Sequence, residues 1–258
     1  MAPDVLAADD SGIARAATAL QRGELVAFPT ETVYGLGADA WNSEAVAAIF
    51  AAKGRPATHP LIVHVASIEA ARALCREFPP VAEALAAAFW PGPLTLVLPA
   101  HPDLPRAVTA GGDTVGVRIP AAPAALALLR AFGGAIAAPS ANRHQEVSPT
   151  RAAHVVRSLG ERVPFVLDGG PCTSGIESTV LSLLTGEILR PGPIPPADLR
   201  RLLPTLRSSE GLTVDAGIHA APGLSRRHYA PRAQLRVIHP DDIEAAWRAA
   251  SPGTTIVL

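Results

Sequence analysis

The stretch Phe28-Pro-Thr-Glu-Thr-Val-Tyr-Gly-Leu-Gly reads as a strand that ends in hydroxyls and then turns through Gly35 and Gly37. Polar side chains at a strand end beside a glycine turn are where α/β proteins hold ligands; an ordinary strand and turn with satisfied threonines is the plain alternative. The Gly-Leu-Gly lacks the third glycine of a dinucleotide fingerprint. Further on, Lys53-Gly54-Arg55-Pro56 closes a helix and leads through Thr58-His59-Pro60 into an apolar strand that carries His64. A lysine and an arginine around one glycine can face a single anion, which suits a polyphosphate, or they can simply be solvated at the negative end of the helix dipole. The GxxxxGK[ST] phosphate loop is absent. Thr114-Val-Gly-Val-Arg118 sets a guanidinium inside an apolar strand, where it needs either a bound carboxylate or an internal salt bridge. Ala138-Pro-Ser140-Ala-Asn142, Ser148-Pro-Thr and Asp168-Gly-Gly through Glu177-Ser178-Thr add hydroxyls and an amide in loops behind buried-type strands. Ser174 with His64 does not make a serine hydrolase, because no G-x-S-x-G elbow occurs. Glu31, Glu177 and Asp168 are too few and too scattered for glycosidase chemistry.

The elements that must position these groups follow from periodicity. Apolar runs at Leu25–Phe28, Leu61–Val65, Leu94–Leu98, Val115–Ile119, Ala135–Ala138, Phe165–Asp168 and Thr179–Leu184 read as strands. Helical spacing marks Ile68–Arg76, Val81–Phe89, Ala124–Ala131 and Arg151–Leu159, and Ser43 stands before EAVAAIFAAK as an N-cap. Alternating strands and helices mean α/β. At 258 residues, 48% apolar and 17% charged, the chain can build one large core. The net charge of −1 argues against a protein that coats nucleic acid non-specifically, and the two cysteines, Cys75 and Cys172, form no zinc or disulfide pattern. No apolar run is long enough to cross a membrane and the start is acidic, so a cytoplasmic protein is expected. Of 22 basic residues only Lys53 is lysine, which singles it out as a functional ammonium. The composition changes after about Leu203. Residues 204–232 read as a polar linker, and 233–258 as the beginning of a further β-α-β unit that is either incomplete or packed on the first domain.

Taken together, PTETVYGLGADA, KGRP with PLIVHV, FWPGPLTLVL, TVGVRIP, APSAN, DGG with GIESTV, ILRPG and HYAP resemble the YrdC-like threonylcarbamoyl-AMP synthase family from about Gly23 to Pro231. The PGLSRRHYAP segment is similar to the linker of that family's two-domain form, which places a catalytic domain at 1–203, a linker or lid at 204–232 and the start of a Rossmann-like domain at 233–258. The resemblance implies a twisted mixed sheet flanked by helices around a deep cleft. It implies a nucleotidyltransferase reaction: L-threonine, bicarbonate and ATP give threonylcarbamoyl-AMP and pyrophosphate, with Mg²⁺ accompanying ATP. The product would pass to proteins that modify tRNA, without stable tRNA binding by this chain. Residue by residue, Thr32, His64, Arg118, the Ala138 main chain and Ser178 match threonine positions. Lys53, Arg55, His59, Thr114, Ser140, Asn142, Ser148, Arg190 and Tyr229 match positions around ATP, with Lys53 and Arg55 the catalytic pair. The sequence departs from the family pattern at His59, Arg143-His144 and Leu224-Ser225-Arg226. A carbamoyltransferase of the same fold would need large additional domains, and an RNA-binding module would need a basic stripe or stacking aromatics that are not seen.

Overall fold

Local chemistry sets where each helix begins and stops. The computed structural model describes residues 2–208 and 239–249. In chain order its elements are β1 (Asp4–Ala7), α1 (Asp10–Gln21), β2 (Val26–Phe28), β3 (Gly35–Asp39), α2 (Ser43–Lys53), β4 (Ile62–His64), α3 (Ile68–Ala73), α4 (Pro80–Phe89), β5 (Leu94–Pro99), β6 (Thr114–Arg118), α5 (Pro123–Phe132) and β7 (Ile136–Ala137). There follow α6 (Ala152–Leu159), β8 (Phe165–Asp168), β9 (Thr179–Ser182), β10 (Glu187–Arg190), α7 (Pro196–Arg200), β11 (Arg207–Ser208) and α8 (Ile243–Arg248). Asn42, not Ser43, caps α2: its side chain accepts from the backbone of Glu44 and Ala45, while Ser43 is already helical. Gly54 ends that helix at φ 62°, a left-handed turn that suits glycine and leaves Lys53 in the last helical position. Pro80 and Pro123 open α4 and α5, where a missing N–H costs nothing.

The strands form one mixed sheet in the order β1-β8-β2-β3-β7-β4-β6-β5-β9-β10-β11 among the described residues. Parallel and antiparallel pairs alternate irregularly: β4 runs parallel to β6, β5 antiparallel to β6, and β5 parallel to β9. The sheet runs past the composition change at Leu203, since β11 pairs with β10 and Leu206 is buried in the main core. The turn expected through Gly35 and Gly37 is instead part of strand β3, Gly35–Asp39. Its glycines serve close packing, because a Cβ on Gly37 would lie 2.8 Å from Ile136 Cγ2 and 2.9 Å from Phe28 Cε1.

The period of two decides what faces the cleft. On the central strands Val63, Leu94, Leu96, Leu98, Val115, Val117 and Leu181 enter the main hydrophobic cluster. Ile62, Val97, Val180 and Leu189 form a separate small cluster on the opposite face. By the same alternation His64, Thr95, Arg118 and Ser178 stand on that second face, and it becomes the floor of the cleft. A third cluster, including Leu20, Phe28, Leu128 and Leu167, packs α1 and α5 against the β2 and β8 side of the sheet.

Candidate active site

The cleft is walled by the loop between β2 and β3, by β4, by the end of β6, by residues 138–140 and by the loop leading into β9. Its floor holds two guanidiniums. Arg118 is 4% exposed at its side chain; Nε donates to the Gly92 carbonyl at 3.1 Å, Nη1 to the Thr32 hydroxyl at 3.0 Å, and Nη2 lies 2.7 Å from Glu31 Oε1. Glu31 Oε2 in turn accepts from the Ala121 amide at 3.0 Å. Burial lowers the Arg118 pKa from its ordinary value and the Glu31 carboxylate opposes that shift. Arg118 thus makes an internal salt bridge with Glu31. Arg190 is arranged alike: Nε and Nη2 donate to the Ser178 carbonyl at 3.1 and 3.0 Å, and Nη1 donates to Glu177 Oε2 at 2.6 Å. Ser148 donates its hydroxyl to the other Glu177 oxygen at 2.8 Å.

Around Arg118 gather the groups matched to threonine. Thr32 is buried and shares a hydrogen bond with Thr30 between hydroxyls 2.8 Å apart. His64 is buried, meets the Phe28 ring edge-on at 5.9 Å, and has an Nδ1 without a hydrogen-bond partner. Burial and then the Arg118 charge push its pKa down to about 3, so it is neutral at pH 7. The Ser178 hydroxyl lies 2.8 Å from that of Thr95 and accepts from Arg190 Nη2 at 3.1 Å. The Ala138 amide is spent on the Ile62 carbonyl, at 2.9 Å. Thr32, His64, Arg118, Ala138 and Ser178 all line this one cleft.

The positions matched to ATP divide. Arg55, Ser140 and Arg190 line the same cleft. Lys53 is only 3% exposed and lies behind the wall, with Nζ donating to the Ser140 carbonyl at 2.6 Å and the Asn142 carbonyl at 2.5 Å. Asn142 Oδ1 is a third, longer acceptor at 3.4 Å, and Asn142 Nδ2 donates to the Glu146 carbonyl. Burial, then the Arg55 charge, lowers the Lys53 pKa to about 7. Lysine 53 therefore fastens the 140–142 loop, whereas Arg55, which also donates to the Pro60 carbonyl at 3.2 Å, reaches the cleft. His59 and His144 meet with ring centroids 5.4 Å apart, and the His144 amide donates to the Lys53 carbonyl. Thus two of the three departures from the family pattern touch each other beside Lys53. Ser148 joins the site through Glu177. Thr114 begins β6, four residues from Arg118, and is not part of the cleft wall. Tyr229 lies outside the described residues.

Sequence reasoning passed over Glu31 and Glu177. A signal was there: each lies within a loop of hydroxyls, and Arg118 inside its apolar strand demands an anion. What was missing was which loop folds onto which strand.

A family model described as telomere recombination, covering Sua5, YciO and YrdC, matches residues 18–192. The threonylcarbamoyl-AMP synthase of Bacillus subtilis (strain 168) is 47% identical over 237 residues, covering 91% of this chain and 68% of that protein. The synthase of Pyrococcus abyssi (strain GE5 / Orsay) is 47% identical over 228 residues, covering 86% and 66%. The crystal structure of P. abyssi Sua5 complexed with L-threonine matches with a TM-score of 0.86 at 45% identity, covering 90% of this chain and 70% of that one. The chain spans about two thirds of the length of these relatives.

Proposed function

The chain belongs to the Sua5/YciO/YrdC family, and from that premise we propose that its cleft makes threonylcarbamoyl-AMP from L-threonine, bicarbonate and ATP, a nucleotidyl transfer that supplies tRNA threonylcarbamoylation. One observation carries the reading: a buried guanidinium with hydroxyls and a neutral imidazole around it shares a single cleft with two further arginines. The first set suits an amino acid carboxylate and hydroxyl, the second a polyphosphate.

In this reading Arg118 takes the threonine carboxylate, and Thr32, Ser178 and His64 surround the remainder of the amino acid. The threonine amine and bicarbonate give a carbamate and water. A carbamate oxygen then attacks the α-phosphorus of ATP, forming the new P–O bond as the bond to pyrophosphate breaks. The protein supplies position and charge and no nucleophile. Arg55 and Arg190 neutralise charge on the phosphates, with Ser140 and Ser148 nearby. Lys53 acts from behind the wall as a positioning residue, holding the 140–142 loop against the nucleotide. Tyr229 is assigned to the nucleotide on the resemblance alone, as is the linker that carries it.

Mg²⁺ is expected with ATP. Among the described residues no three His, Cys, Asp or Glu side chains cluster to hold a metal, and the two cleft glutamates are engaged by arginines. These residues do not fit a resident ion, and Mg²⁺ enters on the nucleotide's own phosphate oxygens, as that ion commonly does. No described helix is long and apolar enough to cross a membrane. The product is taken up by separate threonylcarbamoyl-transfer proteins in the cytoplasm.

The test is pyrophosphate release from ATP by the full chain, with L-threonine and bicarbonate each supplied or withheld. Release that needs both is expected. Release that ignores threonine, or ATP binding with no turnover under any condition, would remove the synthase reading.

A further inference from the structure

Both buried arginines of the cleft are held in the same way, by fixed backbone carbonyls on one edge and by a loop glutamate on the other. For Arg118 the fixed partner is the Gly92 carbonyl, and the charged partner is Glu31, 13% exposed at its side chain. Glu31 comes from the irregular segment between β2 and β3, and its backbone carbonyl accepts from the Ser174 amide at 2.8 Å. The next link joins the Gly175 amide to the Thr32 carbonyl at 3.1 Å, so this segment is stitched to the loop that ends in Glu177. Gly175, at φ 74°, gives that second loop its turn.

Resting on the functional reading above, we infer that Glu31 is an internal stand-in for the substrate carboxylate. It occupies the anion position on Arg118 while the cleft is empty, and threonine binds by exchanging its own carboxylate for that of Glu31. The chemistry requires such a stand-in. A guanidinium buried without an anion costs several kcal/mol, so an empty site with a bare Arg118 would weaken the fold. A carboxylate on a loop satisfies the arginine reversibly, whereas one on a strand would block it. The exchange also lets the cleft select its ligand. A neutral amine or alcohol of threonine's shape cannot displace Glu31, because it brings no charge to replace the one withdrawn. Glu31 thus sets affinity and specificity without touching the reacting atoms. Threonine affinity is reduced by the fraction of molecules in which Glu31 has left Arg118.

The experiment compares L-threonine binding to the full-length wild type, Glu31→Gln and Glu31→Ala by calorimetry, with L-threoninol, which lacks the carboxylate, as control. Glutamine keeps an acceptor for the Ala121 amide but removes the charge. Tighter L-threonine binding by about ten-fold is expected in Glu31→Gln, the gain when the released state is populated to about a tenth in the wild type. No gain is expected for threoninol. Equal or weaker threonine binding in Glu31→Gln, or an equal gain for threoninol, overturns the inference. A second readout needs no threonine: phenylglyoxal modification of Arg118, followed by mass spectrometry of its peptide. Faster modification in Glu31→Gln, slowed again by acetate, supports the stand-in, and an unchanged rate overturns it. If no form binds threonine, the synthase reading fails and the arginine modification alone decides about Glu31. Should Gln and Ala variants not fold, Glu31→Asp, which keeps the charge but withdraws it from Arg118, is read by the same criteria.

Discussion

Lys53, the one lysine among 22 basic residues, is singled out by composition as a functional ammonium, and its ammonium points into the backbone carbonyls of Ser140 and Asn142. Three N–H donors meeting three oxygens is a fit that a generic arginine would not make with the same geometry. Its folded pKa of about 7 lies well below that of a lysine in the unfolded chain. Below pH 7 both states are protonated and the full burial penalty is present. Between about pH 7 and 10 the unfolded chain holds the extra proton, so stability must rise with pH, by at most about 1.4 kcal/mol per pH unit from this group. Chemical denaturation of the wild type and Lys53→Met across that window checks this: their stability difference should move toward the wild type as pH rises. A constant difference would mean that Lys53 keeps its ordinary pKa. Arg118 was more legible, since a guanidinium inside an apolar strand announces an anion. The identity of its partner was not, because Glu31 lies far away in sequence, and only the sheet order β3-β7-β4-β6 brings its loop over β6.

Among the elements, those with a strong period were readable and those governed by close approach were not. Strand β8 has the expected bounds, and β2, β4, β5 and β6 differ by a residue or so at their ends. Strand β3 was missed because glycine ordinarily punctuates strands. Here it is required by the ring of Phe28 and the side chain of Ile136 packing across the sheet. Strand β11 has only two residues, and β1 has a single buried residue, Leu6, among exposed neighbours, so neither shows a period. The two kinds of glycine separate by experiment. Gly37→Ala puts a methyl into 2.8 and 2.9 Å contacts and should cost about 1–3 kcal/mol through overpacking. It should also weaken threonine binding, because Phe28, which must yield, contacts His64 edge-on. Gly54→Ala meets nothing within 4 Å, and its cost, about 1–2 kcal/mol, comes from φ 62° alone. Urea unfolding together with threonine titration distinguishes them: both variants lose stability, and only Gly37→Ala should lose threonine affinity. Equal threonine affinity in the two would separate Phe28 from the support of the site.

At the scale of the whole molecule, one face of the sheet carries the main hydrophobic core, and the other carries the cleft beside the smaller cluster under α1 and α5, with the alternation along β4, β5, β6 and β9 separating core from cleft. The buried apolar residues described all lie between Leu6 and Leu206, and α8 contributes none. Truncation after Ser208 should retain threonine binding, since Thr32, His64, Arg118 and Ser178 are all kept. ATP should behave differently if Tyr229 meets the nucleotide as the family resemblance implies. Loss of an aromatic stacked on a base typically costs about 1–3 kcal/mol, which is about 5- to 150-fold in affinity. Tyr229→Ala in the full chain should reproduce most of the loss seen on truncation. Calorimetric titration of ATP into the wild type, the truncated chain and Tyr229→Ala decides the matter. Weakening in both variants ties the tail to the nucleotide, weakening on truncation alone assigns the contact to other tail residues, and unchanged affinity in both confines the whole site to residues before 209.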